Sequence, residues 1–104
     1  MKSFQISLEK QKTKDVLKLE GSLTGHSIVV FRGVVDTLER RNLKVLSFDM
    51  RSLNYIDSLG IGILIYYYNE LVKIGVNVNI QSPTEGVLEI LEMTSLDKVI
   101  PILS

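Results

Sequence analysis

The chain has 104 residues, 45% of them hydrophobic, which is enough for one domain with a single packed core and argues against intrinsic disorder. Lysine and arginine together number 12, as do aspartate and glutamate, so the formal net charge of zero gives no electrostatic reason to expect nucleic acid or an anionic membrane as a partner. Cysteine is absent, which excludes disulfides and thiolate sites.

The N-terminal segment and the apolar runs indicate a cytoplasmic protein. Residues 1–9 alternate between polar and apolar and contain no apolar block of the kind that a signal peptide carries. The longest apolar run, residues 59–68, is far shorter than the roughly 20 residues that cross a membrane as a helix. We therefore expect a soluble, cytoplasmic protein that forms a single domain over residues 1–104.

Two short strands are predicted at the start of the chain. Phe4, Ile6 and Leu8 alternate with polar residues, which is typical of a half-buried strand. A second strand is predicted over residues 16–20, and Gly21 is expected to end it.

The spacing of apolar residues changes after residue 26 and predicts the first helix. Thr24 and Ser27 are both suitable caps for its start, and Asn42 is a suitable stop. The apolar positions that share the helical spacing are Ile28, Phe31, Val35 and Leu38.

Strands and helices alternate in the rest of the chain. Residues 45–50 predict a central strand that is buried on both faces. A second helix is expected from Ser58 to a stop at Gly75, and it is followed by a strand over residues 76–80.

The last predicted elements complete an α/β fold. Thr84 is a candidate cap for a third helix, and a short apolar segment over residues 99–102 closes the chain. Strands that alternate with helices favour parallel pairing through crossover connections. We therefore expect a single domain in which helices pack against a mixed β-sheet.

The polar dipeptide Asp57-Ser58 lies where the chain passes from the central strand into the second helix. Because a helix start leaves backbone N–H groups unpaired and carries a partial positive charge, either residue is a natural N-cap. A phosphate on Ser58 would lie at the same positive end and would change the surface that a partner meets. Gly60 is expected either to let a kinase or partner approach closely or to permit a tight turn. The cap and the phosphorylation site are both open interpretations of this pattern.

Other kinds of site find little support around this serine. A hydrolase nucleophile normally occupies Gly-x-Ser-x-Gly, whereas this segment reads Ile-Asp-Ser-Leu-Gly. A triad with His26, the only histidine, and Asp49 or Asp57 has nothing in its favour beyond spacing. One histidine and scattered acids predict no metal site, and the Gly-x-Gly at residues 60–62 lacks the third glycine of a dinucleotide-binding motif. We therefore expect neither an enzyme nor a bound cofactor.

The second helix has almost no polar face over residues 61–68. One interpretation is that the helix packs between the sheet and a neighbouring helix. The other is that Ile63, Tyr66 or Tyr67 is exposed beside Ser58 as part of a docking surface, because tyrosine is favoured at interfaces. The pattern alone leaves both open.

These segments together resemble a known family over essentially the whole chain. Residues 46–50, Leu-Ser-Phe-Asp-Met, followed by residues 53–62, Leu-Asn-Tyr-Ile-Asp-Ser-Leu-Gly-Ile-Gly, resemble the strand-to-helix motif of the anti-sigma factor antagonists of the STAS-domain family. The Gly-Ser-Leu at residues 21–23, the helix–glycine–strand step at 73–76 and the closing segment at 91–99 also resemble that family.

The resemblance implies a STAS-like mixed sheet and a binding protein that is switched by phosphorylation. In the family, the partner is an anti-sigma factor that is also a serine kinase, and it phosphorylates the serine after the motif aspartate, which is Ser58 here. Phosphorylation weakens the complex, and a PP2C-type phosphatase reverses it. The unmodified antagonist binds the anti-sigma factor and thereby releases a sigma factor.

The same resemblance indicates where the partner binds. Contacts are expected from residues beside Ser58 and from the turn before the first helix, namely Asp57, Leu59, Gly60, Ile61, Gly62, Ile63, Thr24 and His26. Asp57 is expected to position the helix start or to hydrogen-bond the partner. Relatives also occur in stressosomes, in lipid-transport complexes and as tails of anion transporters. The alternative function is therefore a non-switching scaffold subunit of a transport or stressosome-type complex.

Overall fold

The computed structural model describes residues 3–103, which form one mixed β-sheet with helices packed against it. The elements in chain order are β1 (Gln5–Lys10), β2 (Lys14–Leu23), α1 (Ile28–Val35), β3 (Val45–Ile56), α2 (Ser58–Lys73), β4 (Asn77–Gln81), α3 (Glu85–Met93) and β5 (Ile102–Leu103). Short 3₁₀ turns over Gly25–Ser27 and Leu96–Lys98 precede α1 and follow α3. The predicted fold class is confirmed. The ends of the predicted 1–104 domain, residues 1, 2 and 104, lie outside the described residues.

The strand order β1-β2-β3-β4-β5 explains why one face of the sheet is covered. Only β1 is antiparallel to its neighbour, and each later crossover moves one strand along the sheet in the same direction. Right-handed crossovers of this kind place their helices on one face. The buried residues of α1, α2 and α3 accordingly share one hydrophobic core with the inward side chains of the strands. The opposite face carries polar side chains, such as Lys18, Asp49 and Gln81, side by side in register.

Phe31 lies at the centre of the core and joins α1 to the sheet and to α2. Its ring centroid is 5.8 Å from that of Phe48 in β3 and 5.9 Å from that of Tyr67 in α2. Tyr67 is only 2% exposed, whereas its neighbour Tyr66 is 49% exposed. The apolar face of α2 therefore serves both purposes that the sequence left open, with Tyr67 in the core and Tyr66 at the surface.

The two longest strands extend beyond their predicted ends. Gly21 does not stop β2, because it adopts a φ of +92° at a register shift against β3 and the strand continues to Leu23. A β-carbon at Gly21 would lie 2.6 Å from the carbonyl oxygen of Ser3, so the close backbone approach requires glycine. β3 likewise continues to Ile56, and its last part contributes the buried side chains of Leu53 and Ile56.

The first helix is shorter than its apolar spacing predicts. α1 ends at Val35, not at Asn42, and the backbone N–H of Leu38 bonds to the Val35 carbonyl in a turn. Leu38 is nevertheless buried, so it reaches the core from the turn and imitates the next helical position. The Arg40 guanidinium donates a hydrogen bond of 3.2 Å to the Val35 carbonyl and thereby satisfies one terminal acceptor.

The caps of the shorter elements follow the sequence more closely. Thr84 caps α3 by accepting a hydrogen bond of 3.3 Å from the Val87 N–H, as predicted. Thr24 caps the 3₁₀ turn before α1, whereas Ser27 donates its hydroxyl to the Ser22 carbonyl at 2.7 Å.

The closing apolar segment supplies β5, the fifth strand of the sheet in the described part of the chain. No helix within residues 3–103 is both long enough and apolar enough to span a bilayer.

Candidate functional site

Ser58 is the first residue of α2, and it is exposed. The helix starts here because Asp57 before it is extended, with φ −99° and ψ −176°, and its carboxylate Oδ1 accepts a hydrogen bond of 2.9 Å from the Gly60 N–H. Asp57 is thus the N-cap, so the Ser58 side chain is not needed to cap the helix. The serine hydroxyl makes no hydrogen bond to the described residues.

Asp57 also joins the start of α2 to the turn between β2 and α1. Its second carboxylate oxygen, Oδ2, accepts a hydrogen bond of 3.1 Å from the backbone N–H of Gly25. Its own backbone N–H donates to the Leu23 carbonyl at 3.1 Å. Three hydrogen bonds therefore fix this residue between two distant segments, and the position of Ser58 is fixed with it. The contact with Gly25 escaped the sequence analysis, because nothing in the local pattern indicates which distant N–H a cap residue will bind.

Gly60 and Ile61 lie beneath the surface. A β-carbon at Gly60 would lie 2.5 Å from the Leu23 carbonyl oxygen and 2.8 Å from Cγ1 of Ile56, so glycine lets α2 pack closely on the end of β2. Ile61 is 8% exposed and belongs to the core. The space beside Gly60 is filled by other residues of this protein. It therefore leaves no room there for the kinase or partner that the sequence analysis expected. Both residues are therefore buried and are not part of the exposed surface beside Ser58.

Two grooves flank the start of α2 on opposite sides. The first, which we call the Arg32 groove, has a volume of about 410 Å³ and lies between α1 and α2. It is lined by Ile28, Arg32, Ser58, Leu59, Gly62, Ile63 and Tyr66. The second, the His26 groove, has a volume of about 740 Å³ and runs toward the start of β1. It is lined by Ser3, Phe4, Ser22, Thr24, His26, Ser27, Val30, Tyr55 and Asp57.

Exposed apolar side chains surround Ser58. Leu59, directly after it, is 59% exposed, and Tyr55, just before the cap, is 50% exposed. Val29 in the first turn of α1 is 81% exposed, with Ile28 lining the Arg32 groove and Val30 lining the His26 groove on its two sides. Such a cluster of exposed apolar residues around a polar centre is typical of a protein interaction surface.

The predicted site residues therefore divide into two sets. Thr24, His26, Asp57, Leu59, Gly62 and Ile63 line the two grooves beside Ser58, and Gly60 and Ile61 lie under them. Tyr55 and Arg32 line these grooves and Val29 is exposed in α1, but none of the three was among the predicted site residues. Their signal in the sequence was weak, because their exposure depends on how α1 and the end of β3 are placed.

The structure does not assemble the triad that spacing left open. Ser58 lines the Arg32 groove, whereas His26 lines the His26 groove, and no hydrogen bond joins them among the described residues. Both carboxylate oxygens of Asp57 accept backbone N–H groups, and Asp49 accepts the backbone N–H of Arg51 on the other face of the sheet. Within residues 3–103, none of the three candidate partners, His26, Asp49 and Asp57, hydrogen-bonds the Ser58 hydroxyl.

A buried tyrosine links α1 and α2 below the Arg32 groove. The Tyr67 hydroxyl donates a hydrogen bond of 2.6 Å to Oδ1 of Asp36. Burial, followed by this bond to Asp36, raises the pKa of Tyr67 above its ordinary value, and the nearby Arg32 guanidinium opposes the change. Arg32 thus interacts with the hydroxyl of Tyr67 and also lines the groove that contains Ser58.

A comparison of the sequence with protein families decides the family. The sequence profile of the STAS domain matches residues 5–104. The chain belongs to the STAS domain family. A relative from Paenibacillus polymyxa, named anti-sigma F factor antagonist, is 25% identical over 101 residues, which cover 96% of this chain and 86% of the relative.

Several solved structures share this fold at low sequence identity. An anti-sigma factor antagonist from Mycobacterium paratuberculosis is 18% identical with a TM-score of 0.85, over 97% of this chain and 86% of its own. The Bacillus cell fate determinant SpoIIAA in its phosphorylated form is 17% identical with a TM-score of 0.70, over 98% of this chain and 92% of its own. The STAS domain of a SulP transporter from Vibrio cholerae is 18% identical with a TM-score of 0.70, over 92% of this chain and 76% of its own. At these identities the likeness concerns the fold alone.

Proposed function

We propose that this STAS domain is an anti-sigma factor antagonist that is switched by phosphorylation of Ser58. In the unmodified state it binds a cognate anti-sigma factor through the surface around the start of α2, and a sigma factor is released. The anti-sigma factor acts as the serine kinase, and a PP2C-type phosphatase restores the unmodified state. The protein itself acts as a binding partner and not as an enzyme, and its place of action is the cytoplasm.

The observation that carries this proposal is the position of the Ser58 hydroxyl. It is exposed at a helix start, and Asp57, through its bonds to Gly60 and Gly25, holds that start in place. Exposed apolar residues on both sides, among them Leu59 and Val29, offer a partner an area to bury. The name of the Paenibacillus relative and the phosphorylated form of SpoIIAA agree with this use of the fold.

Electrostatics explain how a phosphate would act as a switch. A phosphoserine carries a charge of roughly −2 near neutral pH, and it would lie beside the Asp57 carboxylate. An interface that closes over the apolar residues would have to desolvate this charge and would gain nothing in return unless the partner supplied a cation. Binding is therefore expected to weaken when Ser58 is phosphorylated.

Substitutions of Ser58 test the proposal directly. We expect Ser58→Ala to bind the cognate anti-sigma factor with an affinity close to that of the unmodified protein. Ser58→Asp is expected to weaken binding by about tenfold or more, which corresponds to about 1.4 kcal/mol. Titration calorimetry measures both values. Ser7→Asp, which adds the same charge on the exposed strand β1, is the matched control and is expected to bind normally.

A kinase reaction tests the modification itself. Incubation of the protein with the same anti-sigma factor and ATP is expected to add one phosphate, which mass spectrometry locates on Ser58 and which Ser58→Ala abolishes. If the protein takes no phosphate, and if its Ser58→Asp variant binds the anti-sigma factor as well as the unmodified protein does, the results would instead support a non-switching scaffold. The STAS domain of the Vibrio cholerae transporter shows that the fold also occurs in a transport protein.

A further inference from the structure

We propose that a phosphate on Ser58 is held within the molecule by the Arg32 guanidinium, across the groove between α1 and α2. Phosphorylation then closes part of the apolar surface in addition to charging it. The inference rests on the proposed function for the presence of a phosphate on Ser58, and it concerns what this chain does with that phosphate.

Arg32 and Ser58 line the same groove from opposite helices. Arg32 projects from α1 and Ser58 from the first turn of α2, and the remaining lining residues, such as Leu59, Ile63 and Tyr66, are uncharged. Among the described residues Arg32 is thus the one charged side chain of this groove. Both Arg32 and Ser58 are exposed, so a phosphate and a guanidinium can meet there without displacing the core.

The helix start cannot neutralise the phosphate by itself. Asp57 already occupies the capping position, since its Oδ1 accepts the Gly60 N–H and its Oδ2 accepts the Gly25 N–H. A second anion beside this carboxylate is repelled by it and needs a cation nearby. The histidine of this surface, His26, lines the His26 groove on the other side of Asp57. Arg32 is therefore the cation that shares a groove with Ser58.

Arg32 forms no ion pair among the described residues, and Asp36 is the carboxylate that shares the Tyr67 hydroxyl with it. The described residues place no carboxylate within ion-pair distance of its guanidinium, and it lies close to the neutral hydroxyl of Tyr67. A guanidinium binds a phosphate through two parallel hydrogen bonds, which are stronger than a bond to a neutral phenol. Exchanging the phenol for a phosphate is thus favourable, and the Tyr67 hydroxyl keeps its bond to Asp36.

The consequence is a surface that changes shape as well as charge. A phosphate joined to Arg32 would bridge the groove above Ile63 and next to Leu59. An apolar side chain of a partner that fills this groove in the unmodified state would then find it covered. Repulsion by the phosphate and loss of the groove would act together on the same complex.

The test is the second pKa of the phosphoserine, measured by ³¹P NMR on protein in which phosphoserine is genetically encoded at position 58. In the otherwise native protein we expect this pKa to lie below the ordinary value of about 6. Arg32→Ala is expected to raise it by about 0.5 or more, because an adjacent cation favours the dianion. Arg32→Lys keeps the charge without the planar fork and is expected to give a value between the two.

Arg41→Ala is the matched control, because Arg41 is an exposed arginine in the turn after α1 and lines neither groove. It is expected to leave the phosphoserine pKa unchanged. Phosphorylation is also expected to shift the side-chain N–H signals of Arg32 and to leave those of Arg41 in place. Equal pKa values in the native and Arg32→Ala proteins, with no shift of the Arg32 signals, would overturn the inference.

The two proposals can fail separately. Encoded phosphoserine needs neither the kinase nor the partner, so the ³¹P measurement stands whatever the binding assays give. A low phosphoserine pKa that depends on Arg32, combined with no kinase reaction and no effect of Ser58→Asp on binding, overturns the proposed function alone. A kinase reaction and a normal loss of binding, combined with no effect of Arg32→Ala on the pKa, overturn the Arg32 contact alone.

Discussion

Two glycines in the first turns of α2 have opposite surroundings. A β-carbon at Gly60 would collide with the Leu23 carbonyl oxygen at 2.5 Å, whereas a β-carbon at Gly62 would meet no atom within 4 Å. Both lie in the same helix with ordinary helical backbone. The effect of adding one methyl group therefore depends on packing alone.

We predict that Gly60→Ala lowers the free energy of unfolding by about 1–3 kcal/mol, because the backbone oxygen of Leu23 cannot move aside without shifting β2. Gly62→Ala is the control and is expected to raise it by about 0.5–1 kcal/mol through helix propensity. Urea unfolding curves of the two variants measure both values. A Gly60→Ala protein as stable as Gly62→Ala would contradict the close approach of α2 to β2.

At the scale of single residues, the sequence predicted the capping of α2 better than the surroundings of its first residues. Asp57 as a cap and Ser58 at a helix start follow from residue type and position, because capping is a local interaction. The burial of Gly60 and the bond from Gly25 to Asp57 could not be predicted, since both depend on the distant β2–α1 connection.

At the scale of elements, one side-chain hydrogen bond joins the end of α1 to α2, in addition to their apolar contacts. Tyr67 donates to Asp36, and burial together with this bond raises its pKa. A group whose pKa is raised on folding makes its full contribution to stability when the pH is below the pKa that the group has in the unfolded chain, here about 10. That contribution is lost as the pH rises through the higher pKa of the folded state.

We therefore predict that the free energy of unfolding declines above about pH 10 in the native protein and that Tyr67→Phe makes this decline shallower. Near neutral pH, Tyr67→Phe is expected to cost about 1 kcal/mol, because the bond to Asp36 is lost. Denaturant unfolding at a series of alkaline pH values provides the measurement. Tyr66→Phe, which alters a half-exposed ring in the same helix, is the control and should retain the native pH profile.

The bounds of the elements were predictable where the pattern was regular. The start of α2 at Ser58 and the cap of α3 at Thr84 agree with the sequence, because a cap residue precedes a clear helical period in both. The end of α1 was wrong, since Leu38 occupies a helical position in the pattern but packs from a turn. β2 and β3 were predicted too short, because their pairing continues through two register shifts, between Lys18 and Glu20 and between Gly21 and Ser22.

At the scale of the whole molecule, the strand order predicts where the fold is most stable. β3 pairs with β2 on one side and with β4 on the other, whereas β1 and the two-residue β5 lie at the edges. We predict that amides of residues 46–50 exchange with solvent only through global unfolding, and that amides of β1 and β5 exchange much faster. Hydrogen exchange followed by NMR measures this order. Equal protection in β5 and β3 would contradict it.

The class of fold was predictable from the alternation of strands and helices, and the confirmed mixed sheet follows from it. The strand order and the polar, helix-free face were not predicted, because they depend on the direction of each crossover, which no local pattern records. β5 was recognised only as an apolar segment, since two residues are too few to show a period.

The hydrogen bond between Gly25 and Asp57 joins positions 32 residues apart in the chain. If Ser58 is phosphorylated as we propose, we expect the kinase to recognise this folded arrangement and not only the residues next to Ser58 in the sequence. A short synthetic peptide that copies residues 53–63 contains the serine but lacks Gly25, and denatured protein lacks the helix start altogether. Only correctly folded copies would then receive the signal, so quality control of the chain and regulation of its activity coincide at a single position.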